Sequence, residues 1–350
     1  MVSDKIPVIV VCGAHGAGKT RWIQHMLTHQ SPRAGTVQPA RDPDEVWLVL
    51  SPHRWMSLPS GFVHCSVPVM APASDDGCAC CGIQGALVDA LRSAFMQSLQ
   101  RRMPRIAGVL IELSAFDEPA LVISTVRYER FLAERFDYAG AVVVVRPDCF
   151  VAQELVVASR QVVVAQVVVL NALLHPLRLP AWFPRLPGSL PVHAITWYPS
   201  LHQLVGILRE QMQCIPGTRH IFSGQSDALA SSLNNTMWSP GSAVGDSDQS
   251  ASLVTWFERA WDTPIRRSVL YRLLEALAQS SDHAVLRVSG WVSLTGVSGV
   301  FEVGVVHRQV YPLQLLETGS DDIDSLCRLT FVVLREHEQR IAALVQDVLP

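Results

Sequence analysis

Lysine is nearly missing from this chain: of its 28 basic residues only Lys5 and Lys19 are lysines, and the rest are arginines. Charge as a whole is sparse, at 17% of residues, and 28 basic against 31 acidic side chains leave a net charge of −3. That balance offers no basic field for a polyanion, so no nucleic-acid partner is expected. Long apolar runs are also missing. Val162–Leu174 comes nearest, but Gln166 and Asn171 interrupt it, and a bilayer needs roughly 20 apolar residues in a row. Met1-Val2-Ser3-Asp4-Lys5 leads straight into an apolar strand without the architecture of a signal peptide. The expectation is a cytoplasmic protein with no membrane partner. In that reducing compartment the eight cysteines do not read as a disulfide framework.

What the chain does have is apolar bulk, 49% of 350 residues, enough for two domains with substantial cores. Its most informative stretch comes first. Pro7-Val8-Ile9-Val10-Val11-Cys12 is a β-forming run that enters Gly13-Ala14-His15-Gly16-Ala17-Gly18-Lys19-Thr20, and a helical pattern (Trp22, Ile23, Met26, Leu27) follows at once. Strand, glycine-rich loop and helix N-terminus together make a phosphate cradle. Glycines let backbone N–H groups turn onto the phosphates, Lys19 reaches the β- and γ-phosphates, and the Thr20 hydroxyl can ligate Mg²⁺. His15 sits in the variable part of the motif, where it either touches a phosphate or plays no part. One of the two lysines thus stands where a compact ammonium suits the loop better than a guanidinium.

A second cluster lies at Gly77-Cys78-Ala79-Cys80-Cys81-Gly82, ahead of a helix whose apolar positions Ile83, Leu87, Leu91 and Phe95 recur every four residues. Thiolates near a helix N-terminus are favoured, and Zn²⁺ takes thiolate ligands in a tetrahedron. Cys78, Cys80 and Cys81 are therefore candidate zinc ligands, with His64 or Cys65 as a speculative fourth. A redox thiol pair and buried structural cysteines are the competing readings. Next, Arg105–Glu112 is a buried strand that ends in an acid. Beside a phosphate loop such an acid holds Mg²⁺, directly or through water; otherwise Glu112 caps the helix that begins near Pro119.

Strands are expected at 46–50, near 62–67, and at 105–112, 140–145, 167–171 and 192–195. They alternate with helices that include 120–136 and 151–160. Continuous β-branched strands of this kind make an α/β fold, a mostly parallel sheet covered on both faces. Residues 217–252 turn to Gly, Ser, Asn and Asp and read as a linker. The domains are accordingly 1–216, for nucleotide binding, and 253–350, a smaller α+β domain. The latter has helices at 267–279 and 336–349 and strands near 284–294, 299–306 and 327–334. Trp22, Trp256, Trp261 and Trp291 read as core or interface rings.

In this order the motifs resemble the CobW family of P-loop GTPases, which act in metal homeostasis. The family's G-C-x-C-C is here Gly77–Cys81, and its E-T-T-G-x-x-x-P is Glu112-Leu113-Ser114-Ala115-Phe116-Asp117-Glu118-Pro119. Its V-V-D-x-x-x-F is similar to the strand end at Arg146-Pro147-Asp148-Cys149-Phe150. Its Q-x-x-x-A-D-x-x-x-x-N-K-x-D is similar to Gln161–Asn171, and the L-R-x-K-G of its C-terminal domain to Leu286–Gly290. The resemblance implies a metallochaperone. It would bind GTP and Mg²⁺ through residues 13–20, Glu112 and Asn171, with Lys19 and Glu112 in catalytic roles. It would carry Zn²⁺, or the related Co²⁺, on the three cysteines and couple GTP hydrolysis to delivery to a client metalloprotein.

Departures from the family pattern fall on base choice and on the switch. Asn171-Ala172-Leu173-Leu174 keeps only the Asn of N-K-x-D. The missing Asp, which accepts two hydrogen bonds from guanine, is worth about 2–3 kcal/mol of discrimination. Ser51-Pro52-His53-Arg54-Trp55 stands where the family has an acidic N-E-F-G segment, and Ala115 replaces the glycine after the Glu strand. A nucleotide or metal sensor with weak or no turnover and relaxed base choice is the alternative. A small-molecule kinase, the third reading, leaves the cysteines unexplained.

Overall fold

A computed structural model describes residues 5–29, 44–52, 58–66, 79–115, 117, 119–146, 152–172, 183, 190–213, 253–280, 284–306, 308–315 and 327–349. They divide into two compact units, one built on a parallel sheet and one on an antiparallel sheet. The stretch 217–252, expected as a linker, lies outside the described residues.

In chain order the first unit contains β1 (Ile6–Cys12), α1 (Lys19–His29), β2 (Glu45–Ser51), β3 (Phe62–Ser66), α2 (Ala79–Leu99) and β4 (Arg105–Glu112). There follow α3 (Pro119–Tyr128), α4 (Arg130–Arg135), β5 (Phe136–Val145), α5 (Ala152–Val164), β6 (Val167–Leu170), β7 (Val192–Ala194) and α6 (Leu201–Gln213). The strands order as β3-β2-β4-β1-β5-β6-β7, and every pairing is parallel. This is the α/β fold the strand pattern predicts. The chain runs to one side of β1 for β2–β4 and to the other for β5–β7. The carboxyl end of β1 is therefore where the winding reverses, the usual place for a ligand crevice in such sheets.

Packing follows from the strand period. Ile9 and Val11 of β1, Val142 and Val144 of β5, and Val167 and Val169 of β6 share one buried face. On that face they meet Trp22, Ile23, Met26 and Leu27 of α1 and Leu201, Leu204, Val205 and Leu208 of α6. Where β5 meets β1 the register shifts between Val8 and Ile9. Gln166 stabilises the irregularity: its Oε1 accepts from Ala141 N at 2.7 Å and from the Tyr138 hydroxyl at 3.4 Å. The polar residue that interrupts the longest apolar run thus occupies a structural position.

Three expectations need correction. The helix expected over 120–136 is two helices, because Glu129 is extended (φ −66°, ψ 127°) and its carboxylate accepts from Leu132 N at 2.8 Å, capping α4. Phe136 then starts β5, four residues before the expected strand. The helix α6 was not expected, although it carries apolar residues at i, i+3, i+4 and i+7. It also begins with a reciprocal capping box, Ser200 Oγ accepting from Gln203 N at 3.2 Å and Gln203 Oε1 from Ser200 N at 2.9 Å.

The second unit contains β8 (Val254–Trp261), α7 (Arg267–Ala278), β9 (Val285–Ser293), β10 (Val300–Val306), β11 (Gln309–Val310), β12 (Gln314–Leu315), β13 (Cys327–Leu334), a 3₁₀ turn (Arg335–His337) and α8 (Glu338–Val348). Its sheet orders β11-β10-β9-β13-β8, with β12 also on β10, and its pairings are antiparallel. Leu270, Leu273, Leu274 and Leu277 of α7 and Ile341 and Val345 of α8 join Val303, Val305, Leu329, Phe331 and Val333 in one core. That is the layer of helices on an antiparallel sheet expected for 253–350. Strand β8 was not expected. It is an edge strand whose residues alternate between partly buried and exposed, so its apolar content is diluted. Trp256, read as a core or interface ring, is 40% exposed on it, whereas Trp22, Trp261 and Trp291 are buried.

His193 of β7 is buried and stacks on Trp197 with 3.7 Å between ring centroids. Burial pushes its pKa down to about 4. An unfolded chain therefore takes up a proton there below its ordinary value of 6.5 that the folded chain refuses until about 4. Stability from this group is complete above pH 6.5, falls as pH drops through that window, and by about pH 4 has diminished by about 3 kcal/mol. Denaturant unfolding at pH 7 and pH 4.5 is expected to show a smaller acid loss in His193→Phe, which keeps the stack, than in the wild type. Equal losses contradict the assignment.

Candidate nucleotide and metal site

The loop that follows β1 is shaped by backbone conformations that only glycine adopts easily. Gly13, Gly16 and Gly18 have φ of 151°, 69° and 98°. A side chain on Gly13 would collide with the Val144 carbonyl of β5. Position 13 is thereby closed to every other residue, and the loop is held tight against the sheet. Ala17 N donates to Ala14 O at 3.2 Å, and Trp22 N to Gly18 O at 2.8 Å as α1 begins.

Lys19 folds back over the loop and is buried, its Nζ donating to Gly13 O at 2.7 Å and to Ala14 O at 3.2 Å. Burial pushes its pKa down, while the neighbouring charges of Glu112 and Asp117 push it up. Cys12 beneath the loop is fully buried, which pushes its thiol up to about 12. It is a neutral packing residue.

Glu112, at the carboxyl end of β4, is 2% exposed. Its Oε1 accepts from the Thr20 hydroxyl and its Oε2 from the Ser51 hydroxyl at 2.7 Å. This arrangement bears on the alternative reading, in which Glu112 caps the helix at Pro119. Both of its oxygens are engaged across the sheet edge, by β2 and by the first turn of α1. Thr20 and Glu112 offer the hard oxygen donors that Mg²⁺ takes. The contact from Ser51 was not read from the sequence, and nothing there signals it beyond a hydroxyl at the end of a buried strand. In the segment after Glu112, Asp117 Oδ2 accepts from Ser114 N at 2.7 Å and Gln161 Nε2 of α5 donates to Ala115 O at 3.2 Å. Ser114 and Asp117 are thus tied to each other, and Ala115 to α5.

On the far side of the loop, Asn171 Nδ2 donates to Ala17 O at 2.9 Å. Asn171 thus touches the phosphate loop and belongs to the same edge as residues 13–20. His15 is exposed at the loop tip.

Of the cysteine cluster, Cys78 and the side chains of Cys80 and Cys81 lie outside the described residues, so their ligand geometry does too. The backbone of α2 begins at Ala79. Because α2 joins β3 to β4 in a parallel sheet, its first turn lies at the carboxyl edge, the edge that carries Glu112 and the phosphate loop. His64 and Cys65, the candidates for a fourth ligand, are on β3 opposite Val49 and Leu50. Burial pushes the Cys65 thiol up, which works against it as a thiolate. No group of three metal-ligating side chains occurs among the described residues, and no helix among them is long and apolar enough to cross a membrane.

Residues 64–173, from β3 through Asn171, match the family described as CobW/HypB/UreG, nucleotide-binding domain. Over that stretch the chain resembles the CobW family. The match takes in α2, Glu112 and Asn171, while the glycine-rich loop lies ahead of it. Two solved structures share the fold: Zn(II)-bound YjiA GTPase from E. coli, at 16% identity, and a Zn(II)-bound triple mutant of YjiA GTPase, at 17%. Each covers 99% of this chain with a TM-score of 0.60, over 100% and 99% of its own length. No curated protein matches the chain in sequence. The CobW resemblance drawn from the cysteine cluster and the loop motifs holds.

Within this site the buried carboxylate is the group most exposed to loss of a partner. Ser51→Ala removes the donor to Glu112 Oε2, and a buried charge short of one hydrogen bond costs about 1–3 kcal/mol. Chemical denaturation is expected to report a loss in that range. A change below about 0.5 kcal/mol, the ordinary scatter of surface substitutions, contradicts the contact.

Proposed function

We propose that this chain is a cytoplasmic GTPase that carries zinc, or a related ion such as Co²⁺, as cargo and couples nucleotide turnover to its transfer to a client metalloprotein. One observation carries the nucleotide half of the reading: Glu112 receives the Thr20 hydroxyl at the mouth of the glycine loop, with the Lys19 ammonium inside the same loop. The backbone N–H groups of residues 13–20 bind the phosphates. Lys19, released from Gly13 O and Ala14 O, neutralises the β- and γ-phosphates. Thr20 and Glu112 would hold Mg²⁺, which when bound offsets negative charge on the phosphate chain. Asn171 keeps the loop in place from the nucleoside side.

The metal half rests on the donor set. Cys78, Cys80 and Cys81 are soft ligands gathered at the start of α2, where the helix dipole favours thiolates. The helix reaches the sheet edge that holds Glu112, and Ser114 and Ala115 follow Glu112 directly in the chain. A γ-phosphate contact there would move the start of α2 and change its hold on the ion, a coupling for which 1–3 kcal/mol is ordinary. A second reading, a sensor with little turnover, draws support from Ala172, where the family's base motif has a lysine. Turnover equal to that of Lys19→Ala selects the sensor.

Zinc affinity measured with and without a non-hydrolysable GTP analogue tests the coupling. The expected result is a change of about tenfold, with zinc binding lost in Cys80→Ser. Equal affinities in the two nucleotide states contradict the coupling, and full zinc affinity in Cys80→Ser contradicts the thiolate site.

A further inference from the structure

The carboxyl edge of the first sheet has an order that the sequence does not display. Glu112 ends β4 on one side of the phosphate loop, and β5 lies on the other. Arg146 is the first residue beyond β5. Strands β5 and β6 pair through Val145 and Leu170, and Asn171 N donates to Val145 O at 2.7 Å, so Arg146 and Asn171 are neighbours on that edge. Both reach the same loop. Asn171 Nδ2 holds Ala17 O, and a side-chain carbon placed on Gly16 would come within 3.1 Å of Arg146 Nη1. Gly16 has φ +69° and no side chain, which lets the guanidinium lie directly over the loop backbone.

A nucleotide seated in this loop has its metal-bound end at Thr20 and Glu112. Its nucleoside end then runs the other way, toward Asn171. Arg146 falls between the two, beside the α-phosphate and the ribose. A guanidinium is permanently charged, planar and weakly hydrated, and its fork of donors matches phosphate oxygens. The Ala172 side chain offers neither charge nor hydrogen bond to a base, whereas a phosphate and a ribose are shared by every nucleotide.

We propose that Arg146 is a nucleotide-binding residue that grips the α-phosphate and ribose end of nucleoside di- and triphosphates without regard to the base. The proposal rests on the nucleotide-binding reading above and adds to it a cation, opposite Glu112, that the motifs do not contain. It makes the loop a two-sided clamp: an acid and its metal on one flank, an arginine on the other.

Calorimetric titration of the full chain with GTP, GDP, ATP and ADP tests it. Arg146→Ala is expected to weaken all four by a common factor of about ten, the value of one charge-assisted phosphate contact. Arg146→Lys retains the charge but not the fork and falls between the two. Melting of each variant without nucleotide checks the fold; where Arg146→Ala melts early, Arg146→Gln takes its place in the comparison. Unchanged affinities overturn the proposal. A loss confined to triphosphates overturns it too, since that would put Arg146 at the γ-phosphate, as does a loss confined to one base. Lys19→Ala keeps the two failures apart. A wild type that binds and loses binding in Lys19→Ala but not in Arg146→Ala sinks this proposal alone, whereas a wild type that binds none of the four sinks the nucleotide reading with it.

Discussion

A carboxylate almost fully withdrawn from water stands at the end of β4, and the site is arranged around keeping it charged. Moving such a group out of solvent is costly unless hydrogen bonds and opposite charge replace its hydration. Glu112 obtains hydroxyl donors from Ser51 on β2 and Thr20 on α1, and it lies within electrostatic reach of Lys19. These groups come from separate strands and a helix, so the parallel order β2-β4-β1 must form before the carboxylate can be satisfied. A merely structural sheet edge would be better served by an apolar residue here. Retaining an acid at this position is a cost in stability that a metal-phosphate site would explain.

The lysine shows the same tension. Its ammonium is held by two carbonyls of its own loop, Gly13 O and Ala14 O, while burial works against its charge. A phosphate chain would offer it stronger partners than carbonyls do. The loop is therefore shaped for an anion. Its rigid parts are the glycine conformations and the tether from Asn171, and its adaptable part is the one long side chain.

Much of this was legible in the chain itself. The strands at 46–50, 105–112 and 167–171 are built on apolar runs (46–50, 106–111 and 167–170), and short runs of this kind between helices suit a buried parallel sheet. The phosphate loop and Glu112 were readable because glycine spacing and an acid at a strand end carry their chemistry locally. What escaped has a physical cause in each case. Glu129 breaks a continuous helical pattern by capping with a residue type that rarely caps. The edge strand β8 is half exposed, so its pattern is diluted by Glu258 and Arg259. Ser51 and Arg146 matter through neighbours that only the strand order supplies, as Val145 pairs with Leu170 and β2 lies next to β4. Helix α6 is different: its Ser200–Gln203 capping box and apolar spacing were present in the sequence and went unread.

The central claim is that Glu112 and Thr20 hold a divalent cation against phosphates bound in the loop of residues 13–20. GTP affinity of the intact chain, with and without Mg²⁺, in wild type and in Glu112→Gln, tests it most directly. The account predicts wild-type binding about tenfold tighter with Mg²⁺ and almost no Mg²⁺ dependence once the carboxylate is an amide. A Mg²⁺ effect of the same size in both proteins, or none in the wild type, contradicts it.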